Sequence, residues 1–302
     1  MSAPSEYVPP TSAEMAHRQL QLEPLRLLLA QRRLYTKAKI WVTARWVGML
    51  VIAIGAPVVA FVVPEAAAAM GALAGVWLFI GGTLFTHLQK SRAYPAAAVQ
   101  EKFDREVFGM AQSIERSSLP SLEEIVLLTG TDVEVMASAN KQGLTDGGGW
   151  YPIVSGQPSV NTIAICQRAN VSYSNRLLRV TATVWIVFIA VWAAALVTLS
   201  LVLDLSLGTF LLGIAFPLLP AFLDVSQYVS SLRRAAADRR DLALSIEKRI
   251  ELDDVAAEDL LAWQETIFGI RRDTPEVPDI IYWLARRGNE RAMHIGAAAL
   301  RE

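Results

Sequence analysis

Four long apolar runs without a charged side chain constrain this sequence more than any other feature. They are residues 46–63, 66–88, 181–203 and 205–223. An α-helix needs roughly 20 apolar residues to cross the hydrocarbon core of a bilayer, and each run is about that long. A single run would fit the buried core of a soluble protein, but four in a chain of 302 residues favour a membrane. We therefore predict an all-α integral membrane protein with four transmembrane helices.

The breaks between these runs are very short. Pro64 and Glu65 separate the first two runs, and Asp204 alone separates the last two. Each pair therefore forms a tight helical hairpin, hairpin 1 over residues 46–88 and hairpin 2 over residues 181–223. Both hairpin tips then lie at one face of the membrane. The remaining segments lie together at the other face, where we predict a helical layer from residues 1–45, 89–180 and 224–302.

Basic residues predict the orientation of the chain. Lys and Arg flank the apolar runs on the side of the long segments, and the two hairpin tips contain neither. Among them, Arg32 and Arg33 precede the first run and Arg179 precedes the third, where they are expected to anchor the helices. By the positive-inside rule, the long segments and both termini face the cytoplasm. The single cysteine, Cys166, is consistent with a reducing compartment.

Composition argues against two classes of function. The formal net charge of −1 is unlike that of a nucleic-acid-binding domain, which is typically strongly basic. The three histidines, His17, His87 and His294, lie in separate segments, and no catalytic motif accompanies them. This is little material for a metal site or a catalytic base. We therefore predict no metal, no resident cofactor, no bound nucleic acid and no enzymatic activity.

Two features of the membrane helices suggest how they pack. Ala67, Gly71 and Gly75 recur every fourth position, a spacing that lets helix backbones approach closely. This stripe serves either packing within hairpin 1 or association between protomers. Pro217 and Pro220 remove two backbone donors from the fourth helix, which predicts a bend there. That bend is either static or a hinge to the C-terminal segment.

Two further patterns lie outside the apolar runs. The stretch "ICQRANVSYSNRLLR" carries Arg168, Arg176 and Arg179 without a carboxylate nearby, so it either anchors the third helix or binds an anion. After the fourth run, apolar residues spaced four and three apart form a heptad seam from Val225 to Ile250, interrupted by Arg239. We expect this seam to pack against the N-terminal helix or against another protomer.

Five segments, taken in order, resemble the SMODS-associated four-transmembrane effector family of bacterial anti-phage defence. They are "LLLAQRRLYTKAK", "GGGWYPIVSGQP", "CQRANVSYSNRLLR", "AFPLLPAFLD" and "WQETIFGIRRDTPEVPD". The resemblance implies a pore-forming effector of the bacterial inner membrane that causes abortive infection in response to a cyclic nucleotide. It also implies a functional partner, a cGAS-like nucleotidyltransferase that makes this messenger. The alternative is a membrane scaffold or sensor subunit that recruits a cytoplasmic protein without forming a pore.

The resemblance carries over onto individual residues. The positions that match its segments are Gln31, Arg32, Arg33, Tyr35, Lys37, Trp150, Tyr151, Pro152, Gln167, Arg168, Asn170, Leu177, Arg179, Gln264, Arg271 and Arg272. Arginine binds phosphate in a bidentate way, and aromatic rings stack on bases. We therefore expect a cyclic nucleotide to contact Gln167, Arg168, Tyr173, Arg176 and Trp150. An assembly of several copies is expected, because one protomer with such apolar helices is a poor channel.

Overall fold

The computed structural model describes residues 7–111, 118–145, 149–153 and 156–300, and all the regular elements in these ranges are helical. Four of the helices are long and apolar enough to cross a membrane, which confirms the predicted fold class. The α-helices are α1 Ser12–Arg18, α2 Leu22–Val62, α3 Ala67–Ile80, α4 Thr86–Phe108, α5 Leu122–Thr129, α6 Asp132–Lys141, α7 Ser159–Val202, α8 Leu207–Phe210, α9 Phe216–Glu251, α10 Ala257–Asp273 and α11 Asp279–Ala299.

The long helices extend well beyond a bilayer. α2 has 41 residues and α7 has 44. At 1.5 Å per residue each is about 60 Å long, roughly twice the thickness of the hydrocarbon core. Their apolar ends form the hairpins, and their polar ends form the helical layer together with α1, α5, α6, α10 and α11. A movement in the layer can therefore reach the membrane along continuous helices.

Hairpin 1 is closed by a short 3₁₀ turn, Pro64–Ala66, and by close contact between its two helices. A Cβ atom built on Gly48 of α2 would lie 1.9 Å from the indole of Trp77 on α3, so this indole lies directly on the glycine backbone. Its Nε1–H donates to the carbonyl oxygen of Arg45 at 3.2 Å. Gly48 is thus the small residue that brings the two helices of this hairpin together.

The predicted small-residue stripe packs differently from expectation. A Cβ atom on Gly71 would lie 3.9 Å from Pro217 of α9, so Gly71 faces hairpin 2 rather than its own partner helix. A Cβ atom on Gly75 would meet nothing within 4 Å. Ala67 lies outside the side chains that the structure describes. Gly71 therefore packs between the two hairpins. The sequence had suggested only packing within hairpin 1 or between protomers.

Pro217 and Pro220 lie within α9, directly after a π-helical turn, Leu211–Ala215. A proline cannot donate to the carbonyl four residues earlier and clashes with it. A π turn widens the helix at this point, and such turns are frequent at functional sites. A second π turn, Gly81–Phe85, connects α3 and α4, so hairpin 2 and hairpin 1 each contain one.

A partly buried ion pair joins the two hairpins where they meet the helical layer. Arg45 of α2 forms a salt bridge with Asp224 of α9, which is 4% exposed, and donates to Thr86 of α4 at 3.3 Å. Beside this pair, the rings of Trp46, Trp185 and Tyr228 form an aromatic cluster, with centroids 4.4–6.0 Å apart. These contacts fix the relative positions of the two hairpins.

The heptad seam packs within the protomer, its first part against α7. Its second part, with Ala243 and Ile246, joins the buried cluster that contains the N-terminal helix α2, one of the two partners expected from the sequence. Val225, Val229 and Leu232 of α9 share a buried cluster with Leu178 and Ala182 of α7, and the two helices run side by side. The reason is topological, since α7 and α9 belong to the same hairpin and continue together into the helical layer.

Candidate functional site

A buried polar network occupies the centre of the helical layer. Glu101 and Asp104 of α4 are 0% and 1% exposed, and they receive hydrogen bonds from the Gln264 amide at 2.7 and 3.2 Å. Arg271 donates to Asp104 at 2.8 Å, and Arg105 donates to Glu101 at 2.6 Å. Buried carboxylates of this kind are stable only when they are paired and hydrogen-bonded, and here two arginines meet that need.

Tyr151 connects this network to the loop that precedes α7. Its hydroxyl donates to Asp104 at 2.6 Å, and its side chain is 4% exposed. Burial, followed by the charge of Asp104, raises the pKa of Tyr151 well above its usual value, so the phenol stays protonated and remains a donor. The Gln19 side chain accepts from the backbone N–H groups of Trp150 and Tyr151, both at 2.9 Å. The loop that carries Trp150 is therefore fixed in place.

A cavity of about 400 Å³ lies next to this network in the helical layer. Its volume is within the usual range for small-molecule sites. Its walls come from α2, α4, α7, α9, α10, the start of α11, the loop at Trp150, and the linker between α10 and α11. The polar and aromatic residues that line it include Gln31, Arg32, Tyr35, Lys39, Trp150, Asn170, Arg239, Arg271, Thr274, Glu276, Asp279 and Tyr282.

Arg239 is the most informative side chain in this cavity. It is 6% exposed, and its guanidinium donates to the carbonyl oxygen of Ala235 at 3.0 Å and to Thr274 Oγ1 at 2.7 Å. None of the ion pairs formed among the described residues includes Arg239. A buried cation without an opposite charge is costly. Asp238 acts on Arg239 without forming an ion pair with it, so an anion in the cavity would supply a counter-charge in direct contact.

Two other walls combine cations with aromatic rings. The guanidinium of Arg32 lies 5.5 Å from the ring centroid of Trp150. Two turns further along α2, Lys39 forms an ion pair with Asp279 at 2.6 Å and lies 5.6 Å from the ring centroid of Tyr282. The cavity thus presents positive charge next to flat rings, an arrangement that suits a ligand with both phosphates and bases.

Unpaired polar atoms also lie in the cavity walls. Gln31 is 3% exposed, and its Oε1 has no hydrogen-bond donor among the described residues. Arg271 Nη1 likewise has no acceptor there, although Glu101 lies 3.8 Å away. Burial disfavours the charged form of Arg271, but Asp104 and Glu101 outweigh this effect and raise its pKa, so it stays a cation. Both side chains therefore have capacity for a further partner.

Glu276 places a titratable carboxyl group in the same cavity. Burial raises its pKa to about 7, an effect that Lys39 opposes and Asp279 reinforces. The backbone carbonyl of Glu276 accepts from the hydroxyl of Tyr228 at 2.7 Å. The linker between α10 and α11 is thereby connected to the aromatic cluster at the membrane helices.

Comparison with known proteins identifies the family of this chain. A family model described as "SMODS-associating 4TM effector domain" matches residues 13–300, which is nearly the whole chain. The chain belongs to the SMODS-associating 4TM effector family. No curated protein and no solved structure matches it. With four helices able to cross a membrane, this 4TM effector is a multi-pass membrane protein.

The structure separates the residues that the sequence proposed as ligand contacts. In this 4TM effector Trp150 lies in the cavity wall, whereas Gln167 is buried outside it and donates to Leu260 O at 2.9 Å and Gln264 Oε1 at 3.0 Å. Arg168 pairs with Glu247 of α9, and its guanidinium lies against Gly296 of α11. Both side chains thus hold helices together, and their role in binding stays a prediction.

The other predicted positions are spread over the surface of the 4TM effector. Tyr173 is partly buried and Arg176 is exposed, and neither lines the cavity. Arg33 is exposed and donates to the carbonyl oxygen of Leu128. Arg179 is exposed just ahead of the third apolar run. Their roles as membrane anchors or ligand contacts stay predictions.

Among the predicted ligand contacts, only Trp150 lies in the cavity wall of the 4TM effector. Other positions that the family resemblance singled out also line it, namely Gln31, Arg32, Tyr35, Asn170 and Arg271. Arg239 was visible as the one basic residue in an otherwise apolar heptad seam, and that interruption was the available signal. Glu101 and Asp104 lie three apart on the same helix face as Phe103 and Val107, which places both carboxylates in the core. Glu276 gave no signal, because its burial depends on how α2 packs against the linker.

Proposed function

We propose that this protein is a membrane effector of bacterial anti-phage defence that binds a cyclic nucleotide in the cavity of the helical layer. Binding then leads to disruption of the inner membrane and abortive infection. The family supports the first part, since its description associates a four-helix membrane effector with SMODS, a nucleotidyltransferase of the cGAS-like type. The observation that carries the ligand proposal is Arg239, a buried cation in the wall of a 400 Å³ cavity that forms no ion pair with any residue the structure describes.

The chemistry of a cyclic nucleotide fits this cavity. Its phosphodiesters carry one negative charge each, and a guanidinium binds such a group with two parallel hydrogen bonds. Arg239 and Arg271 lie on adjoining walls and supply two guanidinium groups. Trp150 and Tyr35 supply aromatic faces for the bases. Gln31 Oε1, which accepts from no residue that the structure describes, is an acceptor for a base N–H.

The linker between α10 and α11 offers a route from ligand to membrane. Thr274 accepts from Arg239, and Asp279 pairs with Lys39. A phosphate at these two cations competes with both contacts and so favours a different position of α11. The carbonyl of Glu276 is bonded to Tyr228, which belongs to the aromatic cluster between the hairpins. A ligand that binds one arrangement better shifts the population toward it.

We place the helical layer and both termini in the cytoplasm, where a nucleotide messenger is made. The distribution of Lys and Arg around the apolar runs supports this orientation. We further propose that several copies assemble to breach the bilayer, because the apolar runs contain no charged side chain to line a water-filled path. In this scheme the protein performs no chemistry on its ligand.

The test is membrane leakage in bacteria that express the full chain with and without a cyclic-nucleotide synthase. Synthase-dependent depolarisation and dye entry are expected for the wild type. Arg239→Gln should abolish the response, whereas Arg240→Gln, an exposed neighbour on α9, should retain it. Equal leakage from both variants would refute the role of the cavity. No leakage in any condition, with the protein correctly inserted, would favour the non-pore scaffold.

A further inference from the structure

A second cavity, distinct from the one described above, lies between the two hairpins. It has a volume of about 540 Å³ and is lined almost wholly by apolar side chains of α2, α7, α9 and the start of α11. We call it the hairpin groove. Its wall residues include Val47, Leu50, Ala53, Val184, Trp185, Phe188, Trp192, Leu218 and Phe222.

The hairpin groove faces the lipid side of the helices. All nine of those wall residues belong to the apolar runs 46–63, 181–203 and 205–223. Val47 and Leu50 are 54% and 43% exposed on one rim, and Val184 and Phe188 are 46% and 45% exposed on the other. Since both rims lie at hydrocarbon depth, the surrounding bilayer is the source of whatever fills the space.

One end of the hairpin groove is charged. Lys39 and Asp279, the ion pair at 2.6 Å, line both the groove and the neighbouring cavity. Lys39 and Ala53 are fourteen residues apart on α2, so the groove runs about 20 Å along that helix. One leaflet of hydrocarbon is about 15 Å thick. The length therefore corresponds to one lipid from its phosphate to the end of its acyl chain.

We propose that the hairpin groove is a binding site for a glycerophospholipid, with an acyl chain in the groove and the phosphate at Lys39. The charge at the end of the groove and the apolar walls along its length match the two parts of such a molecule. Trp46 and Trp185 flank the groove near Lys39, at the level of the polar–apolar boundary where tryptophan is enriched. The phosphate then takes the place of Asp279 as the partner of Lys39.

The first residues of α11 extend the same surface. Ile280 lies in the groove wall and is 75% exposed, and Trp283 and Leu284 next to it are 63% and 81% exposed. Apolar side chains at this level insert into the boundary between headgroups and acyl chains. Lipid in the groove thus supports the start of α11, the element that also carries Asp279 and Tyr282 into the other cavity.

The experiment is native mass spectrometry of the full chain after extensive detergent exchange, with phosphatidylethanolamine and phosphatidylglycerol added back as probes. Wild type is expected to retain one phospholipid per protomer. Ala53→Phe fills the groove and Lys39→Ala removes the phosphate contact, so each should lower retention about tenfold, the effect of losing one charge-assisted interaction. No nucleotide is present, so the result is independent of the function proposed above.

Two control variants show whether any loss of lipid is specific to the groove. Ala194→Phe adds the same ring to an exposed position of α7 outside the groove, and Lys37→Ala removes an exposed lysine of α2 that lines neither cavity. Both should retain lipid as the wild type does. Equal retention in all five proteins, or none in the wild type, overturns the proposal. Because Lys39→Ala leaves the apolar walls of the groove unchanged, loss of folding in Ala53→Phe does not obscure the outcome.

Discussion

Replacing Glu276 with glutamine tests the electrostatics of the cavity through its pH dependence. Burial raises the pKa of this carboxyl to about 7, against the ordinary value of 4.5 that applies to the unfolded chain. Glutamine imitates the protonated form at every pH and so removes the titration. Tyr228 interacts with Glu276 from outside the cavity. The charged or titratable groups that line the same cavity are Arg32, Tyr35, Lys39, Arg239, Arg271, Asp279 and Tyr282.

The sign and size of the effect follow from linkage. Because the folded state holds the proton up to about pH 7, its contribution to stability is fully present below pH 4.5 and is lost as the pH rises through 7. The difference between 7 and 4.5, at about 1.4 kcal/mol per pKa unit, gives a total of about 3 to 4 kcal/mol. For a protein of this size that is about 5 °C in melting temperature.

The assay is thermal unfolding of the detergent-solubilised full chain between pH 5 and 8. Glu276→Gln should melt at nearly the wild-type temperature at pH 5 and about 5 °C above it at pH 8. Glu258→Gln, an exposed carboxylate on α10, serves as the control and should follow the wild type throughout. If the melting temperatures of Glu276→Gln and the wild type differed by the same amount at every pH, the reasoning would be refuted.

The same titration predicts how ligand affinity varies with pH. An ionised Glu276 repels an anion in the cavity, so affinity for a cyclic nucleotide should fall as the pH rises through 7. Glu276→Gln should bind with an affinity that is nearly independent of pH in this range. Stronger wild-type binding at pH 8 than at pH 6 would contradict a ligand phosphate near this carboxyl.

Three further substitutions test the packing described above by thermal or chemical unfolding. Tyr151→Phe removes a donor from the buried carboxylate of Asp104 and should cost about 1 to 2 kcal/mol, and no loss would argue against that hydrogen bond. Gly48→Ala forces the indole of Trp77 away and should destabilise hairpin 1 by about 1 to 3 kcal/mol, whereas Gly75→Ala, with open space around it, should be nearly neutral. Asp224→Ala leaves Arg45 without its carboxylate and should cost about 3 kcal/mol, and the pair Arg45→Met with Asp224→Leu should recover most of this loss.

The membrane part of the fold was predictable because it follows from one-dimensional rules. An uncharged run of about 20 residues has few alternatives to a transmembrane helix, and a break as short as Asp204 permits only a hairpin. The capping boxes that begin α5 and α6 were predictable for the same reason, because each depends on two residues only three apart. Thr131 accepts from the backbone of Glu134, and Ser121 accepts from that of Glu124, as their spacing predicts.

The cavity was less predictable, because it depends on contacts between distant segments. Trp150 was identified through the family resemblance and does lie in the cavity wall. Gln167 and Arg168 come from the same segment as Asn170, but α7 turns them toward Gln264 and Glu247. One turn of a helix decides whether a polar side chain meets a neighbouring helix or a cavity, and no local pattern records that difference.

The central claim is that a cyclic nucleotide in the cavity opens the membrane, and dye release from proteoliposomes tests it most directly. Purified full-length protein is reconstituted around a trapped fluorophore and exposed to a panel of cyclic di- and trinucleotides. At least one should release dye from wild type and from Arg240→Gln at the same concentration, while Arg239→Gln should need about ten to a hundred times more. Release that is identical in Arg239→Gln, or no release with any member of the panel, would contradict the account.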